Sequence, residues 1–168
     1  MMINISYRLA TMGDCYEIAK LKGEVWHTTY RGIYSHDTLA NYDVERNERT
    51  FAGIVNNSKM SLNVATDAGK IIGFISCGEP YRPYLHYEQD IGLLYILQEY
   101  QGLGVGKTLF SIAKNQIITN GYNEFFVSVN KYNQKAIDFY ISMGGVVIHV
   151  DEDMEDKRAA QMKLFYRA

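Results

Sequence analysis

The sequence predicts a single α/β domain, on three observations. The chain has 168 residues, room for one ordinary domain. Short runs alternating apolar and polar residues, the period of a half-buried strand, recur along it. Between them lie segments whose apolar residues return every three or four positions, the period of an amphipathic helix. Hydrophobic residues at 47% and charged residues at 21% are globular proportions and exclude wholesale disorder.

Each element follows in order. Ile3, Ile5, Tyr7 and Leu9 alternate with polar neighbours as a first strand. Thr11 to Asp14 reads as a capping box opening a helix that turns Ile18, Leu21, Val25 and Trp26 inward. Asp37 reads as the cap of a second helix through Leu39, Val44 and Phe51 towards Ile54, broken at Asn56-Asn57. Leu62–Thr66 and Ile71–Ser76 are β-rich runs joined by the hairpin signal Asp67-Ala68-Gly69. Residues 78–89, with Pro80 and Pro83, form a loop. Ile91–Leu97 is almost continuously apolar, as a strand covered on both faces is. After a glycine-rich turn, Leu109, Ile112, Ala113 and Ile117 mark a helix that Asn120-Gly121 ends. Phe125–Val129 is a strand, Asn133–Met143 a helix stopped by Gly144-Gly145, and Val146–Val150 and Met162–Tyr166 the last strands around the acidic turn 151–156. The total is about seven strands and four helices, with no repeat, low-complexity tract or linker.

Composition narrows the function. Lys and Arg number 17 and Asp and Glu 19, a net charge of −2 without the basic stripe that nucleic-acid binding needs. Cys15 and Cys77 are lone thiols, which fit a reducing compartment. His27, His36, His86 and His149 have no metal-ligand spacing, so no metal is expected. The N-terminus lacks the apolar stretch of a signal peptide and nowhere do ~18 apolar residues run together. A cytoplasmic protein without membrane partners is the expectation. Tyrosine supplies 14 of the aromatic residues, against 7 Phe and 1 Trp, so most aromatic surface carries a polar tip.

The sharpest chemical feature is Gln101-Gly102-Leu103-Gly104-Val105-Gly106-Lys107, followed by Thr108, between a strand and a helix. Glycines let backbone N–H groups approach an anion, and the helix N-terminus adds partial positive charge. A P-loop would need glycine at position 101, and a dinucleotide fingerprint starting at Gly102 would need glycine at 107. The pattern that fits is Gln/Arg-x-x-Gly-x-Gly. At these residues the chain resembles the GNAT superfamily of N-acetyltransferases, in which this turn binds the pyrophosphate of acetyl-CoA. Asp90–Ile96 is similar to the family's acidic-then-apolar fourth strand, and Asn133–Tyr140 closing at Met143-Gly144-Gly145 to its second conserved block. The order and separation of the three match over about 90–150. Gln98 stands where many relatives carry proline, and Asp90 where many carry glutamate.

The resemblance implies one N-acetyltransferase domain over 1–168. Its sheet is mixed, mostly antiparallel, seven-stranded and splayed between the fourth and fifth strands; its acetyl-CoA core is about 90–145 and its acceptor-side helices about 12–55. It implies acetyl-CoA as co-substrate, held by Leu94, Tyr95, Ile96, the turn Gln101–Thr108, Asn130, Asn133, Ala136, Phe139 and Tyr140. A backbone N–H in the splayed strand, that of Ile96, would stabilise the carbonyl oxygen. By periodicity alone Tyr140 reads as a core aromatic beside Ala136 and Met143; the family match at Asn133, Ala136 and Tyr140 makes it the candidate acid for the leaving thiolate. Asp90 is the candidate base for the amine, with Glu88 and Glu79 as runners-up; aspartate is one methylene shorter than glutamate, which favours a water relay.

Acceptor contacts fall on Trp26, Tyr30, Tyr34, Tyr81, Tyr84 and Glu88, aromatic rings and a carboxylate suited to a cationic amine. The acceptor is a small-molecule primary amine, polyamines included, attacked directly in a ternary complex. The alternatives are a protein N-terminal or antibiotic acetyltransferase, a non-catalytic acyl-CoA sensor or interaction module, a nucleotide-binding module, and a covalent acetyl-cysteine route. A homodimer is admitted, since a late strand such as Met162–Tyr166 could join a dimer sheet.

Overall fold

The strand-forming runs of the sequence pair into one seven-stranded sheet in the order β1-β2-β3-β4-β5-β7-β6. The computed structural model describes residues 2–167, so Met1 and Ala168, the ends of the expected domain, lie outside the described residues. The strands are β1 (Ile5–Leu9), β2 (Met60–Asp67), β3 (Lys70–Gly78), β4 (Asp90–Ile96), β5 (Glu124–Asn130), β6 (Val146–Val150) and β7 (Gln161–Arg167). The hairpin between β2 and β3 turns on Ala68 and Gly69, both at positive φ, the geometry of a two-residue turn whose twist suits the flanking strands. Every pairing is antiparallel except β4 with β5. That parallel pairing covers only Asp90 opposite Phe126 and Ile91 opposite Val127, and beyond it the strands part.

Five α-helices, one more than expected, cover the sheet: α1 (Cys15–Tyr30), α2 (His36–Ala40), α3 (Val44–Val55), α4 (Val105–Thr119) and α5 (Gln134–Ser142). The extra one arises because the expected helix from Asp37 to Ile54 is two. Ser35 caps α2 by accepting from Thr38 N, and Asp43 caps α3 by accepting from Arg46 N. Asp37 lies inside the first turn of α2. Two residues able to accept from the backbone eight positions apart start two helices rather than one. Ahead of α1 the Asp14 carboxylate accepts from both Thr11 N and Thr11 Oγ1, with Arg8 bonded to its two oxygens.

The core lies on both sides of β2–β4. Phe74 meets Phe51 of α3 edge to face on one side, while Cys77 lies against Ala113 of α4 on the other. Further along, Phe110 of α4 packs on Phe125, Phe139 and Tyr166. The last strand in sequence, β7, lies inside the sheet between β5 and β6. Met162–Tyr166 therefore has no free edge for a dimer sheet; the free edge at this end belongs to β6, exposed along its whole length.

Candidate active site

Where β4 and β5 part, a cleft of about 620 Å³ opens through the domain. Gly92–Ile96 form one wall and Ser128–Asn130 the other, with the glycine turn and α5 at one end and the close of α1 at the opposite end.

At the first end, Gly102 and Gly104 take φ of +76° and +83°, a region that favours glycine. Gly104 caps α4, whose first-turn N–H groups have no intrahelical acceptors and face outward. Gly106 serves closeness instead: a Cβ there would stand 3.0 Å from Ile96 Cδ1 and 3.5 Å from the Phe139 ring. Gln101 Nε2 donates to the Ile96 carbonyl at 2.9 Å, and Lys135 Nζ donates to Gln101 Oε1. Lys107 and Lys135 thus flank the mouth of the cleft beside the helix dipole, and the end is built for an anion. Of the expected cradle residues, Leu103 is exposed, Val105 is buried in the core, and Thr108 N closes the first helical bond to Gly104. None of these three side chains lines the cleft.

In the middle lies the free edge of β4. Leu97 N donates to Ile72 on β3 at 2.9 Å, and successive strand N–H groups point to opposite edges. The N–H of Ile96 therefore points away from β3, into the gap that β5 leaves unpaired. Tyr95 on the same strand stacks on Phe74 with centroids 5.5 Å apart. Across the cleft stand Ala136, Phe139 and Tyr140 of α5, a helix opened by Asn133, whose side chain accepts from Ala136 N. Tyr140 is 7% exposed, and its carbonyl accepts from the Tyr166 hydroxyl at 2.7 Å and from Gly145 N. Burial, with Tyr30 and Asp90 nearby, raises its phenol well above the usual range, so it stays protonated at neutral pH.

Asp90 opens β4, partly buried, at the pairing where the strands begin to part. A Cβ on Gly92, which lines the cleft, would stand 3.2 Å from Ser76 Oγ and 3.6 and 3.7 Å from the two Asp90 carboxylate oxygens, so Asp90 sits beside the lining rather than in it. Burial pushes the Asp90 carboxyl up to about 7, against the opposing charge of Lys163. A carboxyl so raised can hold or release a proton near neutrality.

The far end is aromatic. Trp26 lies 5.6–6.2 Å, centroid to centroid, from the rings of His27, Tyr30, Tyr34 and Tyr42. The helix stops at Tyr30, but Gly32 at φ +82° folds the chain back so that Tyr34 N donates to Tyr30 O. Tyr34 then stacks on Tyr30 at 4.2 Å and 3°, as an unbroken helix face would not have placed it. Asn130 Nδ2 donates to the Tyr34 hydroxyl at 3.1 Å, tying α1 to the far side of the cleft.

Other expected residues lie elsewhere. Tyr81 is 89% exposed, and Tyr84 stacks with Tyr87 against Phe126 outside the cleft. Glu88 is exposed and Glu79 pairs with Lys59, so neither carboxylate faces the cleft. The loop 78–89 is drawn off by the apolar rings of Phe126 and Phe165, on which Tyr87 packs. Sequence reasoning missed Lys135, Ser128 and Gln161, which line the cleft, and Tyr42, which completes the aromatic cluster. Of these only Lys135 carried a signal, its place in the first turn of a helix facing the glycine turn. Cys15 and Cys77 are both buried, and burial pushes the Cys77 thiol up to about 12, so neither is a ready nucleophile. Among the described residues no three His, Cys, Asp or Glu side chains gather as a metal-ligand set, and no helix is long and apolar enough to cross a membrane.

Known proteins share this arrangement. A family model, the acetyltransferase (GNAT) domain, matches residues 31–164. YuaI, an uncharacterised N-acetyltransferase of Bacillus subtilis, is 28% identical over 137 residues, covering 81% of this chain and 77% of its own. A spermidine N(1)-acetyltransferase of Thermoplasma acidophilum is 26% identical over 155 residues, covering 89% and 92%. The crystal structure of PaiA N-acetyltransferase from Thermoplasma acidophilum, in complex with coenzyme A, superposes with a TM-score of 0.81 at 22% identity over 98% of this chain and 99% of that one. The residues matched, the order of the strands and the splay after Ile91 all agree: the chain belongs to the GNAT acetyltransferase family.

Proposed function

We propose that the protein moves an acetyl group from acetyl-CoA to a primary amine of a small molecule, by direct attack within a ternary complex. The carrying observation is that a single cleft joins an anion-binding turn to a free strand edge with the Ile96 N–H, with the near-neutral carboxyl of Asp90 beside it at the start of the same strand. The fit to acetyl-CoA is read from the protein itself. The turn at Gly102–Lys107 with Lys135 suits a diphosphate, and the unpaired edge of β4 suits the amide groups of a pantetheine arm. When bound, acetyl-CoA supplies an acetyl group activated as a thioester.

The residues then divide the work. An alkylammonium titrates near ~10, so it must lose a proton before it can attack, and Asp90 accepts that proton directly or through water. The Ile96 N–H donates to the carbonyl oxygen on which charge develops, worth roughly 3–4 kcal/mol for such a donor. Tyr140 donates a hydrogen bond to the departing thiolate, which takes up the second proton as the nitrogen sheds it on forming the amide. Because burial raises its phenol, Tyr140 acts as a hydrogen-bond donor to the forming thiolate rather than as a matched acid. Trp26, Tyr30 and Tyr34 line the amine end, where a cation over a ring face is attracted by about 0.5–2 kcal/mol.

Spermidine, the acceptor named for the relative 26% identical, heads the panel of amines to try. The test is thiol release from acetyl-CoA across that panel, with isothermal titration of acetyl-CoA in parallel. Turnover on at least one primary amine is expected, and Tyr140→Phe should cut kcat by about 100-fold or more with acetyl-CoA affinity nearly unchanged. Binding of acetyl-CoA without turnover on any amine would instead identify an acyl-CoA sensor.

A further inference from the structure

The β5–β7 register sets Lys163 opposite Ser128, two residues along from the Phe126 that pairs with Asp90. Lys163 Nζ donates to Ser128 Oγ at 2.5 Å and lies 5.3 Å from the Tyr84 ring centroid and 5.7 Å from that of Phe126. The stem is half-buried under the 78–89 loop, so the ammonium is fixed in place rather than trailing in water. Burying a lysine costs free energy unless its charge meets something. Ser128 itself lines the cleft, which sets this charge just behind the cleft wall.

The groups that act on Asp90 come from three elements. Lys163 on β7 brings a positive charge, Cys77 on β3 a thiol that burial keeps protonated, and Tyr140 on α5 a phenol kept protonated in the same way. Lys163 in turn feels Asp151 and Asp90 as attractive charges and Arg82 as a repulsive one. Among the described residues no protein hydrogen bond ends on the Asp90 oxygens, which lie with Ser76 Oγ around the space where Gly92, a lining residue of the cleft, has no side chain. The carboxylate therefore keeps its lone pairs free for an acceptor or a water, and its charge is supported from behind by Lys163.

We propose that Lys163 is a positioning residue of the transfer site, a cation built into the sheet on the same face as Asp90 that favours its ionised form as the acceptor amine arrives. The inference rests on the reading of Asp90 as the base. It has a second consequence for the same step: an ammonium approaching Asp90 also enters the field of Lys163, which favours loss of its proton. The loop with Tyr84, which does not reach the cleft, acquires a role as the cover that holds Lys163 down.

The test follows the Asp90 side-chain carboxyl by carbon-13 NMR through a pH titration of the ligand-free protein, beside the pH dependence of kcat/KM. Lys163→Met keeps the stem on the two rings and removes the charge. It should move the Asp90 midpoint up by about one pH unit, with the acid limb of the rate profile moving equally. Lys163→Arg should restore both to near wild type. Ser128→Ala, which only unties the ammonium, should give a smaller movement in the same direction and serves if Lys163→Met does not fold. An unchanged midpoint in folded Lys163→Met or Ser128→Ala protein overturns the role of Lys163 and leaves Asp90 as base untouched. A midpoint that moves while the rate limb stays still overturns Asp90 as base and leaves the coupling to Lys163 standing.

Discussion

Replacing Asp90 by asparagine should slow the enzyme and at the same time make it more stable, by an amount that depends on pH. The carboxyl is raised from 3.8 to about 7 in the folded chain, chiefly because burial penalises its charge. A group raised in this way binds its proton more tightly folded than unfolded, so it withdraws stability as pH climbs from about 4 to about 7. Three pH units at about 1.4 kcal/mol each come to about 4 kcal/mol, in force above pH 7. Asparagine has the shape of the protonated side chain and carries no charge, so Asp90→Asn escapes that cost. Urea denaturation at pH 8 should show a gain of about 4 kcal/mol, or about 10 °C in Tm for a domain of this size. At pH 5, where the folded carboxyl is protonated, the gain should shrink to about 1.5 kcal/mol. A variant no more stable than wild type at pH 8, or a gain that is the same at both pH values, would refute the burial of a strained charge at Asp90.

Other perturbations separate the parts of the cleft. Tyr166→Phe removes the hydroxyl that donates to the Tyr140 carbonyl at 2.7 Å, and should cost about 1–2 kcal/mol in urea denaturation. Trp26→Ala removes the ring around which His27, Tyr30, Tyr34 and Tyr42 gather. It should raise KM for the amine roughly tenfold while the acetyl-CoA Kd, measured by titration, stays within about twofold. Cys15 and Cys77 are 1% and 2% exposed, so iodoacetamide at pH 8 should leave native protein unmodified by mass spectrometry and label both thiols in urea.

Much of this was legible in the sequence where local chemistry decides local structure. Gly102 and Gly104 advertise positive φ, Asn133 a helix cap, and Gly144 a helix stop, and each takes that part. The splay after Ile91 came from a family pattern over 90–150 rather than from the residues one by one. Asp37 misled because it is an acidic side chain one position inside a helix that Ser35 caps, and nothing local marks Asp43 as a second start. Tyr81, Tyr84 and Glu88 were placed by proximity in sequence to β4, whereas the loop follows its rings onto Phe126 and Phe165, a preference set by residues about 40 and 80 positions away. Tyr34 lies in the cleft by a turn rather than by helical period, so its place there was expected on an incomplete ground. Lys163 gave no sign of itself, since its partners are brought to it only by the β5–β7 register.

The seven strands also behave as two plates joined along a short seam. Strands β1–β4 form one plate and β5, β7 and β6 the other, and among the described residues the strand pairs at Asp90 and Ile91 alone stitch them. Past the seam, the gap is bridged by the contact of Phe110 on α4 with Phe139 on α5 and by the Asn130–Tyr34 bond. A cofactor arm laid along Leu94 and Ile96 would act as a splint, completing the stitching that the chain itself leaves undone. The amides of Leu94 and Ile96 should then exchange with deuterium over minutes in the free protein and far more slowly once the splint is in place.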